Sequence, residues 1–188
     1  MAVGTYSDLQ SIWRDKELSI GIKIRLLKTC VSEVLLHAAE TWSIKKGDRR
    51  RPLAFEMQCY RYILEVKWQD HVANDEVRSW VLQEWTVMDT LQKRKLQLFG
   101  HVCRMSDDQL LKTLMLEMVE GERQPGWPAR RWIGDILIWN GQYVKGVVMM
   151  TEDINNWRRF VPSPAVLAEH KIKRWPREVL TFRWPTVP

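Results

Sequence analysis

Apolar residues recur every three or four positions along most of this chain, and that spacing restricts its fold more than any other feature. The clearest case begins at Ser19, after which Ile20, Ile24, Leu27 and Val31 fall on one side of a helix. The same reasoning predicts helices near residues 8–14, 19–42, 48–65, 74–83, 86–104, 109–119, 129–139 and 152–160. The sequence therefore predicts an all-α fold.

Interruptions of this pattern divide the chain into segments. We expect a helical bundle over residues 1–70, a second small helical bundle over 71–162, and an irregular basic tail over 163–188. The only β-like run, VVMM at 147–150, is too short to indicate a sheet.

Polar residues just before apolar runs predict where several helices begin, because their side chains accept hydrogen bonds from the first N–H groups. The predicted N-caps are Ser7 or Asp8 for the opening helix, followed by Ser19, Asp48, Asn74 and Thr86. Asp107 and Asp108 are expected to stabilise the N-terminus of the next helix rather than to hold a metal.

The chain is basic, with a formal net charge of +6 and an isoelectric point near 9.3. This charge favours an anionic partner, most often nucleic acid, although half of the excess lies in residues 162–188. Basic residues adjoin tryptophan at 130–132 and 157–159, where Arg can pair with phosphates and Trp can stack on bases. The alternative is a solvated basic face over a tryptophan-rich core.

No group of residues predicts a catalytic or metal site. Cys30, Cys59 and Cys103 are too far apart for paired zinc ligands, and His101 and Cys103 face different sides of a predicted helix. No glycine-rich phosphate loop or nucleophile motif occurs. We therefore expect no enzyme activity and no cofactor.

The isolated cysteines also bear on the compartment, since they are typical of reduced thiols. No apolar run is long enough for a membrane helix. These features predict an intracellular protein, nuclear or cytoplasmic, with no membrane partner.

Five blocks of sequence follow one another in a fixed order between residues 12 and 161. Residues 18–42 end in HAAETW, and residues 49–77 read RRRPLAFEMQCYRYILEVKWQDHVANDEV. KRKLQLFGHVCRM follows at 93–105 and EGERQPGWPARRWIGDI at 120–136. The fifth and last block consists of WNGQY at 139–143 and EDINNWRRFV at 152–161.

Together these blocks resemble the region after the catalytic palm in reverse transcriptases of non-LTR (LINE-type) retrotransposons. The family patterns are YGxETW, RRLxAFExxCLRxILxIxWxDxxxNxEV, RKLxxFGHVxRM, GxRxxGRPxxRWxDDI and DRxxWRxxV. The order and spacing of the blocks make the resemblance specific. Trp127 and Ile154 stand where the family has arginine, no block resembles the palm or the endonuclease domain, and residues 163–188 resemble nothing in the family.

The resemblance implies a fragment of such an RNA-directed DNA polymerase, holding a thumb-like helical bundle and a second small bundle without palm or endonuclease. Its task would be weak, non-specific contact with the backbone of nucleic acid, in the family an RNA–DNA hybrid. No catalytic residue is carried over. The residues expected to contact nucleic acid are Lys23, Arg49, Arg50, Arg51, Lys93, Arg94, Lys95, His101, Arg104, Arg123, Arg130, Arg131, Trp132 and Arg158.

Two other functions stay open. A helical protein-interaction module would use an apolar patch where the palm would otherwise pack, around Trp13 and the helix over 20–42. A decayed reading frame with no selected role would account for the absent palm, the replaced arginines and the unrelated tail.

Overall fold

The computed structural model describes residues 1–45, 47–82, 85–116, 132–141 and 143–161, and within these ranges all regular structure is helical. The predicted all-α fold is confirmed. The predicted tail over 163–188 lies outside the described residues. The α-helices are α1 (Ala2–Asp8), α2 (Gln10–Arg14), α3 (Ile20–Leu26), α4 (Glu33–Leu35), α5 (Arg50–Ile63), α6 (Asn74–Trp80), α7 (Val87–Cys103), α8 (Leu110–Leu116), α9 (Trp132–Asn140), α10 (Val144–Glu152) and α11 (Ile154–Phe160).

The predicted helix over 19–42 is interrupted. A π-helical turn, Leu27–Ser32, separates α3 from α4, and the chain then leaves the helix at Ala38, whose φ is 52°. The hydroxyl of Thr29 donates to the carbonyl oxygen of Arg25 at 3.0 Å, a contact that competes with backbone hydrogen bonds and bends helices. A 3-10 turn, Ala39–Thr41, follows.

The predicted N-cap at Ser7 or Asp8 is wrong, because both residues lie inside α1 and the N-cap of α2 is Leu9. Two of the later predictions are confirmed. The hydroxyl of Ser19 accepts from the backbone N–H of Ile22, and Thr86 and Asp89 cap each other's backbone N–H at the start of α7. The prediction for Asp48 is wrong, because the N-cap of α5 is Arg49, with no side-chain cap.

The prediction for Asn74 is also wrong, because α6 starts one residue earlier than expected. Its N-cap is Ala73, and the side-chain oxygen of Asn74 accepts instead from Nη2 of Arg61 at 3.0 Å. The same Arg61 nitrogen donates to the carbonyl oxygen of Val72 at 2.7 Å. Arg61 therefore fixes the turn between α5 and α6.

Asp107 makes a local contact near α8. Its Oδ1 accepts from Nζ of Lys112 at 2.5 Å, and that hydrogen bond and the ammonium charge lower the pKa of the Asp107 carboxyl. The carboxylate thus pairs with a side chain in the helix that it was expected to stabilise.

Residues 147–150, which are β-like in sequence, lie in helix α10. Val147 and Thr151, which lie one helical turn apart, are both buried. Buried side chains therefore recur with the helical period in this segment and do not alternate as in a strand. In the sequence, the valines hide this helical period because β-branched residues are enriched in strands.

Three clusters of buried apolar side chains hold the helices together. The first contains Trp13, Tyr60 and Ile63 and also Val77 and Val81, from beyond the predicted boundary near residue 70. The second joins α7 to α9, α10 and α11, and the third packs residues 35–53 against the start of α7 and Trp139. Helix α7 contributes to the last two and is the central element of the fold.

A buried carboxylate ties α5 to the start of α7. Oε1 of Glu56 accepts from the backbone N–H of Val87 at 3.0 Å and from the hydroxyl of Tyr60 at 3.2 Å. Burial raises the pKa of this carboxyl, although the two hydrogen bonds oppose the shift.

No helix within the described ranges is long and apolar enough to cross a membrane.

Candidate nucleic-acid interface

Helix α7 separates its basic residues between a buried and an exposed side. Leu91, Leu96, Phe99 and Val102 are buried at 1% exposure or less, and Lys95 lies among them. On the opposite side lie Lys93, which is half-buried, and three exposed residues, Gln97, His101 and Arg104. At 100° per residue these four span about 80° of the helix circumference.

Three adjacent cations on α7 therefore have three different environments. Nζ of Lys93 lies over the ring of Trp85, 5.9 Å from its centre. The guanidinium of Arg94 is held by the carboxylate of Glu33. Lys95 has 0% exposure, so it cannot reach a phosphate and the prediction that it contacts nucleic acid is wrong.

Lys95 is instead the centre of a buried polar cluster. Its Nζ donates to Oδ2 of Asp135 at 2.6 Å and to the carbonyl oxygen of Trp42 at 2.7 Å. The ammonium also lies 5.0 Å from the ring centre of Trp132 and 5.8 Å from that of Trp139. Aromatic rings stabilise a buried cation in this position, so the partners of Lys95 are structural ones.

Asp135 receives further contacts that complete this cluster. Its Oδ2 accepts from the backbone N–H of Ile44 at 3.3 Å, and its Oδ1 lies 3.7 Å from a guanidinium nitrogen of Arg49. Arg49 also stacks over Trp139 at 5.6 Å. Arg49 is therefore engaged in holding α9 against the start of α5.

Trp132 is likewise engaged within the fold. Its indole N–H donates to the carbonyl oxygen of Glu40 at 2.6 Å, and its ring packs near Phe99 at 6.3 Å. With one side occupied by Lys95, the half-buried ring is not an open stacking platform for a base. The first four blocks of the sequence resemblance thus meet at one place, through Trp42, Arg49, Lys95 and Asp135.

Helix α11 packs against the second half of α7 through Trp157. The Trp157 N–H donates to the carbonyl oxygen of Leu96 at 3.2 Å. A Cβ at Gly100 would lie 2.0 Å from Nε1 of Trp157, so only glycine permits this approach. Arg158 and Arg159 follow Trp157 on α11 and are exposed.

Arg104 has both a structural and an exposed part. Its Nη1 donates to the carbonyl oxygen of Thr151 at 3.0 Å, which joins α7 to α10, while the residue as a whole stays exposed. His101, one turn earlier, is exposed too. The structure therefore brings His101 and Arg104 to the same end of α7 as α11.

The remaining predicted contacts are divided. Arg50 and Arg51 are exposed at the start of α5, whereas Lys23 is 7% exposed on α3, so the prediction for Lys23 is wrong. Arg123, Arg130 and Arg131 lie outside the described residues.

Sequence reasoning missed Asp135 as a buried anion. The signal that could have revealed it is its position beside Trp132, Ile136 and Trp139 on an apolar helical stripe.

The apolar patch predicted around Trp13 is not present in the expected form. Trp13 is 2% exposed, stacks on Tyr6 and donates its N–H to the Tyr6 carbonyl oxygen at 2.8 Å. Ile20 and Ile22 of α3 are about half exposed, but residues two apart on a helix lie about 200° apart. They do not form one apolar face.

An open groove borders the exposed side of α7. It has a volume of about 530 Å³ and is lined by Glu33, His37, Ala38, Glu40, Arg94, Gln97 and Leu98. Glu33, Glu40 and Arg94 add charged groups to a lining that also contains apolar surface.

The described residues offer no group of three or more His, Cys, Asp or Glu side chains arranged to hold a metal ion. Burial raises the pKa of the Cys59 thiol to about 12 and also raises that of Cys103, so both stay protonated near neutral pH.

The fold class is that of an all-helical domain with a basic helix face. Comparisons with protein-family models, with curated proteins and with solved structures found no match to this chain.

Proposed function

We propose that this chain binds the sugar–phosphate backbone of nucleic acid through the exposed face of α7 and the adjoining end of α11. The observation that carries the proposal is the division of cations on α7. Lys95 is used inside the fold, while Lys93 and Arg104 lie with His101 on the outer side, and Arg158 and Arg159 are exposed on α11, whose Trp157 packs against α7. Cations so placed attract phosphates without reading sequence.

The resemblance to the thumb and post-thumb region of non-LTR retrotransposon reverse transcriptases supports the same proposal. It suggests an RNA–DNA hybrid as the nucleic acid. The catalytic palm of that family has no counterpart in these 188 residues. We therefore expect backbone binding without primer extension.

Fluorescence anisotropy with a labelled RNA–DNA hybrid, titrated from about 50 to 200 mM salt, tests this proposal, because phosphate contacts are strongest at low salt. The informative variant is Lys93→Gln/Arg158→Gln/Arg159→Gln. Removing a cation that neutralises one phosphate of a duplex lowers the slope of log K against log salt by about 0.9, so we expect a reduction of up to about 2.7 for the three.

A matched control removes three exposed cations elsewhere, in Lys16→Gln/Arg25→Gln/Lys67→Gln. We expect this control to keep most of the affinity and most of the salt slope. If both triple variants weaken binding equally, net charge rather than this face attracts the hybrid. If the unaltered protein does not bind at the lowest salt, the proposed function is wrong.

A further inference from the structure

Arg94, which borders the outer face of α7, is held by a carboxylate from another helix. Its Nη2 donates to Oε1 of Glu33 at 2.6 Å and to Oε2 at 2.5 Å. The two side chains are 61 positions apart in sequence, and both line the groove beside α7. Both remain open to solvent, with exposures of 31% for Arg94 and 54% for Glu33.

A carboxylate and a phosphate present similar oxygen acceptors to a guanidinium. Glu33 thus occupies donors of Arg94 that a phosphate of the nucleic-acid backbone would otherwise accept from. Ion pairs between solvent-exposed side chains are weak, so such a contact can be exchanged for another anion. The buried Lys95–Asp135 pair beside it offers no such exchange, because neither side chain is exposed.

We propose that Glu33 competes with nucleic-acid phosphates for Arg94 and so limits the affinity of the α7 face. This inference rests on the proposed function. In the free protein the Glu33 carboxylate accepts from Nη2 of Arg94 through both of its oxygens; in the complex a phosphate takes its place and Glu33 turns to solvent. The other ionisable groups lining the groove are His37 and Glu40.

The test is a cycle of four proteins: the unaltered chain, Glu33→Gln, Arg94→Gln and the double variant. Anisotropy with the labelled RNA–DNA hybrid measures affinity and salt slope for each. We expect Glu33→Gln to bind about two- to fivefold more tightly, the range that the release of an exposed ion pair allows. Its salt slope should stay close to that of the unaltered chain, because Arg94 neutralises one phosphate in both complexes, whereas Arg94→Gln should lower the slope by about 0.9.

Removal of a negative charge strengthens binding to any polyanion, so the cycle needs a matched control. Asp75→Asn removes a carboxylate that is 96% exposed and lies 3.7 Å from Arg78 on α6. It changes the net charge by the same amount as Glu33→Gln. We expect a smaller increase in affinity from Asp75→Asn than from Glu33→Gln. When Arg94 is already glutamine, Glu33→Gln should increase the affinity no more than Asp75→Asn does.

Two results would overturn the inference: an equal increase in affinity from the two carboxylate variants, or an increase from Glu33→Gln that is just as large without Arg94. Failure of the proposed function is distinguishable. If neither the unaltered protein nor Glu33→Gln binds at low salt, both proposals are wrong. If only Glu33→Gln binds, the proposed competition is supported, and Glu33 is then sufficient to prevent binding of the hybrid to the α7 face. Urea unfolding of each variant verifies that it is folded.

Discussion

The buried pair between Lys95 and Asp135 predicts a large loss of stability when its cation is removed. In Lys95→Met the side chain keeps its approximate length but cannot form the hydrogen bonds to Asp135 and to the Trp42 carbonyl oxygen. Removing one partner of a buried ion pair costs about 3–5 kcal/mol, because the other charge is left without compensation. Arg49, 3.7 Å from Asp135, keeps the loss near the lower end, at about 3 kcal/mol.

Urea unfolding followed by circular dichroism at 222 nm measures this loss as a lower midpoint at unchanged slope. Lys93→Met, two positions earlier on the outer side of α7, is the control and should change the free energy of unfolding by less than about 0.5 kcal/mol. The double variant Lys95→Met/Asp135→Leu should be more stable than Lys95→Met, since no unpaired charge remains. A cost below about 1 kcal/mol for Lys95→Met would refute the assignment of Lys95 as the cation that compensates Asp135.

Three further variants test the packing around α7, each by urea unfolding. Gly100→Ala should destabilise by about 1–3 kcal/mol through its clash with Trp157, whereas Gly21→Ala, with open space around it, should stabilise; higher stability at both positions would contradict the close approach. Thr86→Ala should cost about 1 kcal/mol because the N-cap is removed, and no change would mean that the cap is redundant. Glu56→Gln should flatten the dependence of stability on pH. Because burial raises the folded-state pKa of Glu56 above 4.5, its ionisation lowers stability as the pH rises through the folded pKa, and the variant should gain stability relative to the unaltered protein above that pKa.

Local sequence was sufficient for most of the helices, because their stability depends on a period that is visible along the chain. It also identified the caps at Ser19 and Thr86, whose acceptors lie within three residues of the N–H groups that they bind. It failed at Ala38, where the chain leaves the helix in a left-handed conformation although the residue there is not glycine. It also did not predict helix α10, where burial of Val147 against α7 overrides the strand preference of valine.

The candidate site was less predictable, because whether a cation is available depends on partners distant in sequence. Asp135 lies 40 positions from Lys95, and Glu33 lies 61 positions from Arg94. The helical period alone would have suggested that Lys95 faces the same side as Leu91 and Phe99. The prediction overlooked this because it treated the basic run 93–95 as one cluster rather than as three directions.

That division of the basic run also limits what the sequence resemblance can support. The side chains of Lys95, Asp135 and Arg49 and the carbonyl oxygen of Trp42 come from four of its blocks and meet in one cluster, while the Trp42 side chain is 41% exposed. A resemblance carried by such residues argues for a shared way of packing helices. It argues less for shared contacts with a ligand, because side chains that hold the core are not available to a phosphate. Binding must therefore be tested at side chains that face solvent and lie outside this cluster, namely Lys93, His101, Arg104 and Arg158.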